Sequence, residues 1–119
     1  MMNNKKNIVT TILLVDNEPD NTSVLSIGLE DEGFKVDAFN DPILGLSNFK
    51  PNFYALSILD INMPKMNGYE LYKEIRKIDN KVKICILTAS ELLYDVKCFI
   101  PKPIAIDEFV KQVKEELNL

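Results

Sequence analysis

Residues 54–68 read Tyr-Ala-Leu-Ser-Ile-Leu-Asp-Ile-Asn-Met-Pro-Lys-Met-Asn-Gly. The first seven, Tyr54–Asp60, form a short apolar run without strict alternation that stops on an acid. Such a run suits a strand buried on both faces of a parallel sheet. Ile61–Asn67 is a loop that carries Pro64 and runs into Gly68, and Tyr69–Ile78 continues with a helical pattern. The stretch therefore predicts a strand, an acid at its carboxyl end, a constrained loop and a helix.

The same arrangement repeats upstream. Thr11–Asp16, TILLVD, is a second apolar run ending on an acid. Pro19 suits the first turn of the helix that follows, with Glu18 and Asp20 near its positive end. Val24, Leu25, Gly28 and Leu29 share one face of that helix, and Gly33 is its natural stop. Lys35–Phe39 predicts another strand. Asp41 and Pro42 read as an N-cap and first residue of a short helix with Leu44, Leu46 and Phe49. Downstream, Lys83–Thr88 predicts a fourth strand and Lys97–Pro101 a weaker fifth. Ile106–Leu117 closes the chain as a helix burying Ile106, Phe109, Val110, Val113 and Leu117. Strands alternating with helices imply one α/β domain, a parallel sheet covered on both sides. Residues 1–10 are expected as a flexible N-terminal segment and 11–119 as the domain.

Composition narrows the function. The chain has 119 residues, enough for one core. Its net charge of −4, with 14 Lys and Arg scattered along it, argues against direct nucleic-acid binding. No apolar run approaches the ~18 residues that a spanning helix needs, so no membrane insertion is expected. The polar start lacks a signal-peptide core, which leaves the cytoplasm as the default. Absence of histidine removes His-based triads and most zinc sites. Cys85 and Cys98 lie in apolar stretches and are expected as buried thiols rather than a disulfide or metal pair.

Ligands in such sheets bind beyond the carboxyl ends of the strands, where the strand order reverses. The predicted ends deliver Asp16, Asn17 and Glu18 from strand one, Asp60 from strand three and Thr88 from strand four. Lys102-Pro103 follows strand five. Singly these are ordinary turn formers, β-formers or solvated charges. Together they place carboxylates, a hydroxyl and an ammonium on one edge.

The segments L-L-V-D-N-E-P at 13–19, L-D-I-N-M-P-K-M-N-G at 59–68, L-T-A at 87–89 and K-P at 102–103 resemble the response-regulator receiver domain, CheY-like, of two-component signalling. The resemblance covers roughly Thr11 to Leu117. It implies a flavodoxin-like doubly wound five-stranded parallel sheet in the order 2-1-3-4-5. It implies that Asp60 accepts a phosphoryl group from a sensor histidine kinase, in a Mg²⁺-dependent phosphorelay step. Asp16, Asp60 and the Asn62 carbonyl would hold the ion, with Asn17 and Glu18 as further candidates. Lys102 would meet the phosphoryl oxygens, and Thr88 and Phe99 would carry a conformational switch. A cis peptide would precede Pro103. Such a domain assists its own phosphorylation and slow autodephosphorylation without being a turnover enzyme. Asn62 and Ser90, at positions where the family tunes phosphoryl lifetime, offer no bulk or positive charge to protect it.

Two departures from the family pattern stand out. Asn17 occupies the place of the second acid, so weaker Mg²⁺ binding is expected unless Glu18 restores the charge. Only 13 residues separate Thr88 from Lys102. Five of them, Lys97–Pro101, lead along strand five, and a full crossover needs at least about 10–12. The family's fourth helix is therefore expected to be truncated or missing, with Leu92, Leu93 and Tyr94 as a stub or strap. That remodels the usual output surface and leaves the downstream partner unknown.

Nothing follows Leu119, which suggests a single-domain receiver or an excised piece. The alternative is a phosphorylation-independent pseudo-receiver acting as a protein-binding module. An Asp-nucleophile phosphatase would want D-x-D after strand one, where this chain has Asp16-Asn17-Glu18. Flavin binding would want a hydroxyl-rich phosphate loop, which is lacking.

Overall fold

The computed structural model describes residues 9–90 and 95–119. Five strands, β1 (Thr11–Val15), β2 (Lys35–Phe39), β3 (Leu56–Asp60), β4 (Lys83–Thr88) and β5 (Cys98–Pro101), form one sheet. The helices are α1 (Pro19–Glu30), α2 (Pro42–Asn48), α3 (Gly68–Ile78) and α4 (Ile106–Glu116). All strand pairs are parallel and the order is β2-β1-β3-β4-β5, as expected. β3 begins at Leu56 rather than Tyr54, and the remaining bounds agree within one residue. Residues 1–8 of the expected N-terminal segment and the expected cover of Leu92, Leu93 and Tyr94 lie outside the described residues.

The three central strands are apolar on both faces because both are covered. β1 and β3 are buried at every position. On one face Ile12, Leu14, Ile58, Cys85 and Leu87 meet Leu25 and Leu29 of α1 and Phe109 and Val113 of α4. On the other, Leu13, Val15 and Leu59 meet Phe49, Leu71 and Ile75. Each fully buried aliphatic side chain contributes about 1.5–3 kcal/mol of transfer free energy. Val24, Leu44 and Ile106, read as apolar face residues, are exposed instead.

Local chemistry sets the helix ends. Asp41 Oδ1 accepts from the Ile43 N–H at 2.8 Å, so the expected N-cap forms. Asn67 and Glu70 make a reciprocal capping box, with bonds of 2.8 and 2.9 Å. The α3 start is thereby fixed close to the end of β3. Gly33 has φ of +93°, the left-handed conformation that stops α1 and favours glycine.

Two features differ from an ordinary crossover sheet. Ala89, Ser90 and Asp95–Lys97 are not helical, so among the described residues no helix joins β4 to β5. The crossover is truncated, as its length demands. The second feature corrects the sequence reading. Cys85 and Cys98 are not free thiols but a disulfide. The β4–β5 register sets them directly opposite each other, with Cα atoms 4.5 Å apart, inside the span a disulfide can bridge. No helix of the described residues is long and apolar enough to cross a membrane.

Candidate functional site

Strand order reverses between β1 and β3, and the crevice beyond their carboxyl ends is the expected ligand position. Asp16 and Asp60 stand there, 0% and 2% exposed. Asp16 Oδ1 accepts from the Glu18 N–H at 2.9 Å, which turns the chain from β1 into α1. Its carbonyl accepts from Asn40 Nδ2 at 2.8 Å, tying in the end of β2. Asp60 Oδ1 accepts a long bond of 3.4 Å from the Asn62 N–H. The Gly68 N–H donates to the Ile61 carbonyl at 3.1 Å and closes the loop back onto β3.

Lys102 is the shared cation. Its Nζ lies 3.3 Å from Asp60 Oδ1 and 3.4 Å from Asp16 Oδ2. The Lys102 N–H donates to the Thr88 carbonyl at 2.9 Å, extending the ladder one residue past β5 and aiming the side chain across the strand ends. The Lys102–Pro103 peptide is cis, as the resemblance implied.

Charge in this crevice does not balance, since two buried carboxylates face one ammonium. Burial, then the nearby Asp16 charge, push the Asp60 carboxyl above its ordinary range, and Lys102 only partly offsets them. The Lys102 pKa is raised as well, which favours its charged form. Burial disfavours its charge, but Asp16 and Asp60 outweigh that and raise its pKa.

The other expected residues fall into place unevenly. With its amide nitrogen facing the acceptors, Asn17 donates to the Asn62 carbonyl at 2.9 Å and to Asp60 Oδ2 at 3.2 Å. In that orientation Asn17 is a donor to both oxygens. Glu18 is exposed, and its Oε1 accepts from Asn21 Nδ2 at 2.9 Å. The Thr88 hydroxyl donates to the Ser90 carbonyl at 2.9 Å and accepts from the Ser90 N–H at 3.2 Å. Phe99 sits half-buried on β5 opposite Ile86. Sequence reasoning missed Asn21 and Asn40. Asn40 follows β2 directly and so shared the strand-end signal; Asn21, one turn into α1, offered no such sign.

Comparison with known proteins decides the family. Residues 12–114 match the model described as the response regulator receiver domain. The chain belongs to the response-regulator receiver family. A CpxR-homologue transcriptional regulatory protein of Haemophilus influenzae is 38% identical over 92% of this receiver and 51% of that protein. The receiver therefore spans about half the length of the curated relatives it matches. A CheY-like receiver structure from Methanospirillum hungatei superposes with a TM-score of 0.85 and 25% identity, covering 93% of this chain and 95% of that one. The complex of histidine kinase ThkA with response regulator TrrA contains a chain 35% identical, TM-score 0.80, with 92% and 99% covered.

Proposed function

We propose that Asp60 is the phosphoacceptor of this receiver and that its donor is a phosphohistidine of a sensor kinase. The observation that carries this reading is the pair of buried carboxylates, Asp16 and Asp60, sharing Lys102 at the reversal point of the sheet. The histidine-kinase complex of TrrA supports the class of donor. The cytoplasm is the compartment in which such a kinase would meet it.

An Asp60 oxygen attacks the phosphorus of the phosphorylated imidazole. The new P–O bond forms as the P–N bond breaks, and the electron pair remains on the imidazole nitrogen, which takes up a proton. Lys102 has two tasks: it holds Asp60 ionised against burial, and it meets charge on the phosphoryl oxygens. Mg²⁺ fits the donor set. The Asp16 and Asp60 carboxylates and the Asn62 carbonyl are hard oxygens, and one negative charge is left to balance. When bound, the ion would supply further charge neutralisation. With its nitrogen turned toward them, the Asn17 amide donates to two of those oxygens and would have to release them or present its own oxygen. The chain acts as a stoichiometric acceptor that helps load itself, and slow hydrolysis returns Asp60.

Signalling then follows from charge. Phosphorylation adds negative charge and acceptor oxygens beside Thr88. The Thr88 hydroxyl exchanges the Ser90 carbonyl for the phosphoryl group, and Phe99 on the neighbouring strand repacks, which shifts the population between two arrangements. A downstream protein reads the shift.

A second reading, a phosphorylation-independent docking module, is favoured by one observation. The Asn17 amide fills the place of an acid with a neutral donor. Incubation with Mg²⁺ and acetyl phosphate, followed by intact-mass measurement, separates the two. The wild type should gain one acid-stable, base-labile phosphoryl group, and Asp60→Ala none. An unmodified wild type, with no beryllofluoride-induced change in its NMR spectrum, sinks the acceptor reading.

A further inference from the structure

β5 has four residues and lies at the sheet edge, bonded to β4 alone. Among the described residues no crossover helix covers the approach to it. The Cys85–Cys98 disulfide is a covalent tie across this edge. It lies three register positions before the Thr88–Pro101 pair, at the strand ends that present Thr88 and Lys102.

The two sulfurs are unequally reachable. Cys85 is fully buried, whereas Cys98 is half-buried and borders a surface cavity of about 340 Å³. Arg76, Lys81, Lys83 and Lys97 line that cavity against the acids Asp95 and Glu116. A cationic rim favours the anionic form of an approaching thiol. In the cytoplasm proposed above, a disulfide is usually transient and catalytic or redox-sensing rather than structural.

We propose that Cys85–Cys98 is a thiol–disulfide exchange site for a dithiol reductant, and that its redox state sets the mobility of the β4–β5 edge. A reductant thiolate attacks Cys98 Sγ. A mixed disulfide forms there as the Cys85–Cys98 bond breaks, and Cys85 leaves as a thiolate that takes up a proton. The reductant's second thiol, as thiolate, then attacks the mixed disulfide at the reductant's own sulfur. Cys98 is released, takes up a proton, and the reductant departs as a disulfide. Two electrons and two protons pass to the protein. The Glu116 carboxylate lies within 4.8 Å of both sulfurs.

Opening the bond leaves β5 held by its backbone ladder and side-chain packing. Thr88 and Lys102 then gain freedom together, because the Lys102 N–H is bonded to the Thr88 carbonyl. The consequence for phosphotransfer rests on the Asp60 reading; the exchange site and edge mobility do not.

The test uses the full chain with dithiothreitol as the probe. After treatment in native buffer, acid quench and alkylation in denaturant, intact mass should show two alkylated cysteines, while circular dichroism remains that of the folded chain. Oxidised dithiothreitol should reverse the change. Hydrogen exchange should speed at least tenfold at the amides of Ile100 and Lys102 on reduction, in wild type and in Asp60→Ala alike. Cys98→Ser should match the reduced wild type without dithiothreitol, and this variant avoids perturbing the buried Cys85. A bond that opens only when urea unfolds the chain overturns the exchange site. Exchange rates unchanged by reduction overturn the coupling to the edge. A wild type that refuses acetyl phosphate in both redox states, with thiol exchange and amide rates behaving as stated, refutes the Asp60 reading and upholds this one.

Discussion

The side-chain amide of Asn17 bridges the ends of β1 and β3: with its nitrogen turned toward them, it donates to Asp60 Oδ2 at 3.2 Å and to the Asn62 carbonyl at 2.9 Å. A neutral donor thus satisfies oxygens that would otherwise seek a cation. Were Mg²⁺ to take the same oxygens, as proposed, those bonds would have to be given up.

Asn17→Asp should therefore invert the balance. A third carboxylate repels Asp16 and Asp60, so the metal-free variant should be less stable by about 1 kcal/mol. Mg²⁺ affinity should rise about tenfold, because ligand charge count tunes such sites. Calorimetric titration measures the affinity and thermal melting with and without Mg²⁺ measures the linkage. Equal affinities for the two proteins would refute the argument.

Asp60→Asn should stabilise the chain at neutral pH. The folded-state pKa of Asp60 is raised, so its ionised form costs stability above that pKa. The cost vanishes as pH falls below the unfolded value near 3.9. The variant should gain about 1 kcal/mol at pH 7, on the order of 4 °C in Tm, and gain nothing at pH 3. Parallel melts at both pH values decide it, and a gain that grows toward acid would contradict the sign.

Gly68→Ala should damage the loop that holds Asp60 in place. An added Cβ would come within 2.4 Å of the Asp60 carbonyl oxygen and 2.9 Å of the Ile61 Cα. Both neighbours are backbone and cannot rotate away, so the end of β3 must shift. A loss of about 1–3 kcal/mol is expected in urea denaturation. Acetyl phosphate labelling should slow about tenfold or more, since a small displacement of reacting groups is costly. Unchanged stability and labelling would show that the loop has slack.

Asp79→Ala should open the opposite end of the domain. The Asp79 carboxylate accepts from the Asn52, Lys81 and Val82 N–H groups, tying the loop before β3 to the loop before β4. Those bonds, that of Asn52 first, hold its pKa below the ordinary carboxylate range. Its contribution is therefore present above the unfolded pKa and lost as pH falls through the lower folded one. The variant should lose about 1–3 kcal/mol at pH 7 and less in acid, with labelling of Asp60 unaffected. A constant deficit across pH would assign the loss to packing alone.

Much of this was legible in the chain itself. Thr11–Asp16, Tyr54–Asp60 and Lys83–Thr88 announce doubly covered parallel strands because only such strands are apolar at nearly every position. Acids, a hydroxyl and a lysine immediately after those runs had to gather on one edge, since all the strands point the same way. The short span from Thr88 to Lys102 dictated a truncated crossover by length alone.

Partnership among side chains was not legible, because it depends on register and on which neighbour reaches a group first. The hydrogen bonds of Glu18, its N–H to Asp16 Oδ1 and its carboxylate from Asn21 Nδ2, could not be read from the chain. Composition read Cys85 and Cys98 as buried thiols, and their 13-residue separation carries no pairing signal. Only the β4–β5 register sets those sulfurs face to face. The place of the Asp60 carboxylate at the strand ends was thus determined by the sequence, through strand polarity. Its amide partner Asn17, its shared cation Lys102 and the covalent tie on the neighbouring edge were decided by tertiary structure, which alone brings distant groups within bonding distance.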